Sequence, residues 1–275
     1  MAAAGSEHRP APTTMPPPAS AEGRRLSFRL LDAAGTVLAE QEPHHRFYAA
    51  STIKLCVLLA ALRAAERGEL DLAATVPATR TVIGADGAPF TLEGDHLDPT
   101  HPPEGTPVEV RELLVRMIDR SSNEATNTVI ALVGLEAIGR LIGDLGLTDT
   151  RVERAIGDAS AIGRGLTNET TAADLATTMR ATVSGDAVSR ASTALALDAL
   201  RAQRIRVITT VVREGVPAGS KSGEVDGFRH DVAFIGDPSL PDARVLAVMT
   251  SGYAPLEADR EIRRIARELL GDLAA

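Results

Sequence analysis

Tryptophan is absent from the 275 residues, tyrosine occurs twice and phenylalanine five times, so aromatic residues make up only 3% of the chain. So few rings exclude a stacking platform for bases or sugars. Cysteine occurs once, as Cys56, which rules out an intrachain disulfide; its apolar neighbours mark it as a small core residue, and such usage fits a reducing compartment. No apolar run is long and charge-free enough to span a bilayer. Residues 1–23 are rich in Ala, Pro and Ser and lack the apolar stretch of a secretory leader, so they read as a disordered tail. As written, the sequence points to the cytoplasm; a leader outside it would make the protein secreted. Positive charge is also in deficit, with 29 basic against 37 acidic side chains and a net charge of −8. Phosphate backbones need basic surface, so no nucleic-acid partner is expected. The expectation is a soluble monomer, without a membrane partner, acting on a small molecule.

Lysine is the most telling scarcity. Of the 29 basic residues only Lys54 and Lys221 are lysine, and the other 27 are arginine. Arginine cannot release its proton near neutral pH, whereas a buried lysine can. A chain that otherwise uses arginine has kept lysine at two positions where a removable proton is useful.

Lys54 lies in Tyr48-Ala49-Ala50-Ser51-Thr52-Ile53-Lys54, followed by the apolar run Leu55 to Leu62. A helix without a polar face belongs in the middle of a domain. Ser51 sits at its start, where unpaired N–H groups and partial positive charge collect. The i, i+3 spacing puts Ser51 and Lys54 on one helix face. Read alone, the pair is also compatible with an N-cap serine and a buried lysine paired to a carboxylate.

Around this helix, Leu26, Phe28 and Leu30 alternate with polar residues and turn at Ala34-Gly35, which predicts a β-hairpin. Glu69 to Gly105 reads as loop, rich in Gly and Pro. Asp95, His96, Asp98 and His101 cluster in it; loop composition accounts for them, and no metal or other cofactor is expected. Thr106-Pro107-Val108-Glu109 resembles a capping box that opens a helix. Further helices are expected at Glu124–Val133, Leu135–Leu145, Thr171–Val183 and Ala187–Arg201, with a long wrapped loop at Thr148–Asn168. Strand patterns follow at Pro217–Lys221, Phe228–Ile235 and Ala243–Met249, and an amphipathic helix over Glu257–Leu270 closes the chain. Strands at both ends with helices between them predict an α+β fold. One α/β subdomain would use residues 24–68 and 202–275, and a helical subdomain, 69–201, would be inserted in it.

Two more motifs lie at element edges. Arg120-Ser121-Ser122-Asn123 joins two helices, and Lys221-Ser222-Gly223 reads as a strand end. Each alone is an ordinary cap or strand terminus. Together with Ser51-x-x-Lys54, in this order, they are specific.

With these motifs the chain, from about Leu26 to Leu270, resembles the class A-like serine β-lactamases and their penicillin-binding relatives, whose set is Ser-x-x-Lys, Ser-Asp-Asn and Lys-Thr-Gly. Met117-Ile118, Ala125-Thr126-Asn127, Thr170 to Leu175 and Phe228 to Ala233 add to the likeness. Ser122 stands for the family aspartate and Ser222 for threonine. The resemblance implies a three-layer fold, an antiparallel five-stranded sheet flanked by helices, with an inserted all-helical subdomain. It also implies an acyl-enzyme hydrolase opening a β-lactam or related amide or ester. In that scheme Ser51 attacks and Lys54 is the base. Ser121 passes a proton to the leaving nitrogen, aided by Lys221. The Ser51 and Glu224 N–H groups form the oxyanion hole. Asn123, Ser222 and Gly223 bind substrate; Arg229 is either a second cation for it or a structural partner of Asp231, and His230 is structural.

One departure bears on the outcome. The family places a water-activating glutamate in a loop after the central motif, and aligning Thr150 to Arg154 on that loop puts Ile156 at the glutamate position. Asp158 is the nearest acid, and Glu153 is expected to pair with Arg154. This leaves open a carboxypeptidase- or transpeptidase-like protein acting on D-Ala-D-Ala, or a penicillin-binding sensor that deacylates slowly.

Overall fold

The computed structural model describes residues 23–94 and 97–275. Most of the Ala/Pro-rich tail, and Asp95 and His96 of the loop cluster, lie outside the described residues. The hairpin forms where alternation predicts it, as β1 (Arg25–Asp32) and β2 (Val37–Gln41). The short β3 (Phe47–Tyr48) leads into a 3₁₀ turn, Ala50–Ile53, and then α1 (Lys54–Glu66). Every residue from Lys54 to Leu62 in α1 is buried, as an apolar helix without a polar face requires.

The loop-like region is more ordered than its composition suggests. It holds β4 (Thr75–Pro77), the small hairpin of β5 (Thr81–Ile83) and β6 (Pro89–Thr91), and β7 (Pro107–Glu109). Here the capping-box reading is corrected: Pro107–Glu109 pair antiparallel with Thr75–Pro77, so the backbone stays extended through Glu109. Helix α2 (Val110–Asp119) therefore begins only at Val110.

Helices α3 (Asn123–Val133) and α4 (Leu135–Asp144) follow. The wrapped loop contains β8 (Arg151–Val152), one turn of helix α5 (Ala159–Gly163) and β9 (Asn168–Thr170), which pairs with both β3 and β8. Next come α6 (Ala172–Ser184), α7 (Arg190–Arg201) and a 3₁₀ turn at Ile208–Val211. The chain ends with β10 (Ala218–Val225), β11 (Phe228–Ile235), β12 (Arg244–Ser251) and α8 (Pro255–Leu270). A second correction falls in β10: the strand runs through Lys221-Ser222-Gly223 to Val225, so the motif lies within a strand and does not end it.

The main sheet has five antiparallel strands in the order β10-β11-β12-β1-β2, so the N-terminal hairpin joins the C-terminal strands through β1 and β12. Strand alternation gives it two apolar faces. Val232, Phe234, Val245, Ala247 and Met249 join the core that holds α1, α2, α3 and α6. Phe28, Leu30, Ala233, Ile235, Leu246 and Val248 pack instead against Ile262, Ile265, Ala266 and Leu270 of α8. The result is the three-layer α+β arrangement, with β10 at one sheet edge and the Ser51 turn packed against it.

Candidate active site

The site is assembled from three chain segments: the turn before α1, the turn between α2 and α3, and the middle of β10. Each is held by a feature of its backbone. Ala50 has φ +48° and Ser121 has φ +59°. A left-handed conformation costs an L-residue on the order of 1 kcal/mol, so strain is concentrated beside Ser51 and at Ser121. Ser122 caps α3, its hydroxyl accepting from Ala125 N–H at 3.2 Å and donating to Glu124 at 3.1 Å. A carboxylate thus still lies beneath this turn. It comes from the fully buried Glu124, which also accepts from the Asp98 N–H at 3.0 Å.

Gly223 brings β10 close to the serine. A Cβ at this position would lie 3.1 Å from both the Ser51 and the Thr52 backbone nitrogen, so a side chain here would press on the serine turn. Because β10 is an edge strand, one of its sides has no β-partner within the sheet.

The two lysines converge from opposite sides. Lys54 Nζ lies 2.8 Å from the Ser121 carbonyl, 2.8 Å from Asn123 Oδ1 and 3.1 Å from Ser121 Oγ. Lys221 Nζ lies 3.1 Å from the same Ser121 Oγ and donates to the Ser222 carbonyl at 2.6 Å. Both lysines are fully buried. Burial, reinforced by the charge of Lys221, holds the Lys54 amine well below its ordinary range. Burial brings Lys221 down to about 7, against the opposing pull of Asp231.

A neutral Lys54 fits these contacts. Its two N–H bonds go to Ser121 O and Asn123 Oδ1, which can only accept, and its lone pair then faces the Ser121 hydroxyl. The direct Ser51–Lys54 contact suggested by the i, i+3 spacing is not made. Lys54 is drawn to the α2–α3 turn, and the Ser51 hydroxyl has no hydrogen-bond partner among the described residues.

Other residues fall out differently. Arg229 donates to Asp259 at 2.7 Å and to Glu224, and does not pair with Asp231. Asp231 accepts from Val207 and Ile208 N–H at 3.1 and 2.7 Å, and its burial raises it to about 6. His230 is structural: it donates from Nε2 to the Tyr48 carbonyl and accepts at Nδ1 from Thr250 N–H, a neutral tautomer that burial protects by lowering it to about 4. Glu153 accepts from Thr167 N–H and not from Arg154. Arg154 turns inward to the Tyr48 hydroxyl at 3.0 Å. Of the loop cluster, Asp98 accepts from Thr100 at 2.6 Å and pairs with Arg116, while His101 is buried. No group of three His, Cys, Asp or Glu side chains among the described residues could hold a metal ion.

The loop carrying Ile156 is fixed to α3 by Asn127, whose side chain donates to the Ile156 carbonyl and accepts from the Ile156 N–H, both at 2.8 Å. Asp158 is occupied elsewhere. It caps α5 through Ala161 N–H and also accepts from Ser160 and from Ala85 N–H, contacts that hold its carboxyl below the usual range despite burial. Glu124, Asn127 and the Tyr48–Arg154 contact were not assigned these structural parts from the sequence. Asn127 alone carried a sequence signal, as part of Ala125-Thr126-Asn127.

This fold, with a Ser-x-x-Lys turn, a Ser-Ser-Asn turn and a Lys-Ser-Gly strand in contact, defines the β-lactamase/transpeptidase class. The chain belongs to the Beta-lactamase enzyme family, whose model matches residues 18–273. A β-lactamase of Amycolatopsis lactamdurans is 30% identical over 240 residues, covering 84% of this chain and 74% of that protein. The β-lactamase structure from Sphaerobacter thermophilus superposes with a TM-score of 0.76 at 28% identity, covering 94% of this chain and 95% of that one. PBP-A, in a mutant solved as its acyl-enzyme complex with penicillin G, has the same fold, with a TM-score of 0.73, 22% identity and 92% coverage of each chain. The family implies a hydrolase. No single helix among the described residues is long and apolar enough to cross a membrane.

Proposed function

We propose that the protein is a serine acyl-enzyme hydrolase of the β-lactamase type, opening a β-lactam or a related amide or ester through Ser51. The observation that carries this reading is the Ser121 hydroxyl held 3.1 Å from each lysine amine, between a site for a base and a site for a cation. Ser51 Oγ attacks the carbonyl carbon as its proton passes to neutral Lys54, whose amine first turns from the Ser121 hydroxyl toward Ser51. The Ser51 N–H at the α1 turn and the Glu224 N–H of β10 stabilise the oxyanion. Collapse expels the amine nitrogen, which takes a proton from Ser121 Oγ, and Ser121 recovers one from Lys54. Lys221 and Ser222 hold the substrate carboxylate, and Asn123 orients Lys54 and binds the substrate amide.

A second reading concerns the next step. Ile156 cannot accept a proton, and Asp158 is engaged by three donors. Water activation therefore lacks the family's base, which favours a long-lived acyl-enzyme of the penicillin-binding or carboxypeptidase kind. Following hydrolysis of a chromogenic cephalosporin from the first turnover separates the two. Continuous turnover supports the hydrolase, and a single stoichiometric burst supports the slowly released acyl-enzyme.

A further inference from the structure

At the far end of β10 from Gly223, a cavity of about 200 Å³ opens between the end of α7, the Ile208–Val211 turn and the start of the strand. Three arginines from separate segments line it: Arg201 at the end of α7, Arg206 before the 3₁₀ turn, and Arg213 after it. Arg201 has a distant partner in Asp198 at 3.6 Å and stacks over the Phe234 ring. Arg206 and Arg213 have no carboxylate partner among the described residues. Glu214 is the single acid in the lining. The hydroxyl of Thr209, also in the lining, is buried and has no hydrogen-bond partner. A buried hydroxyl left unsatisfied costs roughly 1–3 kcal/mol, so a missing acceptor at this spot has a physical cost.

We infer that this cavity binds the phosphate group of a small molecule through Arg201, Arg206, Arg213 and Thr209. All four side chains can donate, and three guanidinium groups offer more donors than a single carboxylate can accept, whereas the oxygens of a phosphate can use them. The net positive lining stands out in a chain of net charge −8. The cavity is too small for a drug-sized ligand, which occupies roughly 300 Å³ or more, but it admits a phosphate with a small body attached. Its floor is Gly219, where a Cβ would clash with Phe234, Leu200 and Arg201. At about 3.3 Å per residue, Ala218 lies about 13 Å along β10 from Ser222. The anion site is therefore separate from the Ser51 centre.

The test is a calorimetric titration of the full chain with pyrophosphate, with citrate as the carboxylate comparator at matched ionic strength. The prediction is saturable pyrophosphate binding, weakened about tenfold or more in Arg206→Gln/Arg213→Gln, the loss expected when charge-assisted hydrogen bonds are removed. Thr209→Val, which leaves all three charges in place, should weaken binding severalfold. Without anion the double variant should keep the wild-type melting temperature, since both of its arginines are exposed and unpaired, and Thr209→Val, which removes the unsatisfied hydroxyl, should melt at or above it. Absence of saturable binding, equal binding by the double variant, or citrate binding as tightly as pyrophosphate would each overturn the assignment.

Discussion

Lys54 and Lys221, the only lysines in the chain, meet on one atom: each Nζ lies 3.1 Å from the Ser121 hydroxyl. Two buried ammonium groups this close repel, and burial already disfavours both charges. The arrangement resolves itself by splitting the roles. Burial and the charge of Lys221 push Lys54 toward its neutral form, and Lys221 keeps its proton below about pH 7.

That split predicts a pH profile. Acylation by a carboxylate-bearing substrate should weaken as pH rises through about 7, when Lys221 loses its charge. Lys221→Arg should move this alkaline fall to higher pH, because arginine stays protonated. Stopped-flow acylation rates across the range are the measurement, and an unchanged alkaline limb in the variant would contradict the role given to Lys221.

Ile156 supplies a gain-of-function prediction. Its backbone is clamped by Asn127 on both sides, so replacing its side chain leaves the loop anchored. Ile156→Glu should shorten the acyl-enzyme lifetime by about a hundredfold, the low end of a general-base effect. Mass spectrometry over time reads the lifetime directly. No change would mean that water is activated elsewhere.

Gly223 and Gly219 make a controlled pair on one strand. Gly223→Ala puts a methyl 3.1 Å from the Ser51 and Thr52 nitrogens. It should slow acylation by about a hundredfold, as losing an oxyanion donor does, with a modest loss of stability. Gly219→Ala places its methyl 2.6 Å from the Phe234 ring and 2.8 Å from the Leu200 carbonyl carbon. It should cost stability by about 1–3 kcal/mol. Acylation kinetics and urea unfolding of both variants check the contrast, which equal kinetic effects would refute.

Asp231 predicts a stability effect with a definite sign. Its value rises from 3.8 to about 6 on folding, so between these values the folded chain holds a proton that the unfolded chain has lost. Stability therefore falls as pH rises through this window, on the order of 3 kcal/mol in total. Asp231→Asn removes the titration. Relative to wild type it should gain stability between about pH 4 and about pH 7, as read by urea unfolding; a constant difference would argue against a protonated Asp231.

Much of the frame was legible in the sequence because it rests on periodicity. The Leu26–Ala39 hairpin, Phe228–Ile235 and the C-terminal helix follow from alternation or helical spacing alone. Thr106 to Glu109 misled because its local chemistry suits a helix start, while pairing with Thr75–Pro77 holds it extended. The strand pattern stops at Lys221 although β10 continues to Val225, because its glycine and polar residues hide a strand that the sheet edge sustains. Contacts such as Arg154 with Tyr48, 106 residues apart, leave no local trace. The site residues were readable as motifs, but the turn of Lys54 away from Ser51 depends on where the α2–α3 turn packs.

The most direct test of the account is the site of covalent attachment. After incubation with penicillin G, the intact protein should gain the mass of one ligand, and peptide mapping should put the adduct on Ser51. Ser51→Ala should form none, though it should melt close to wild type. An adduct elsewhere, or equal labelling of Ser51→Ala, would contradict the central claim, as would the absence of both adduct and turnover in the wild-type protein.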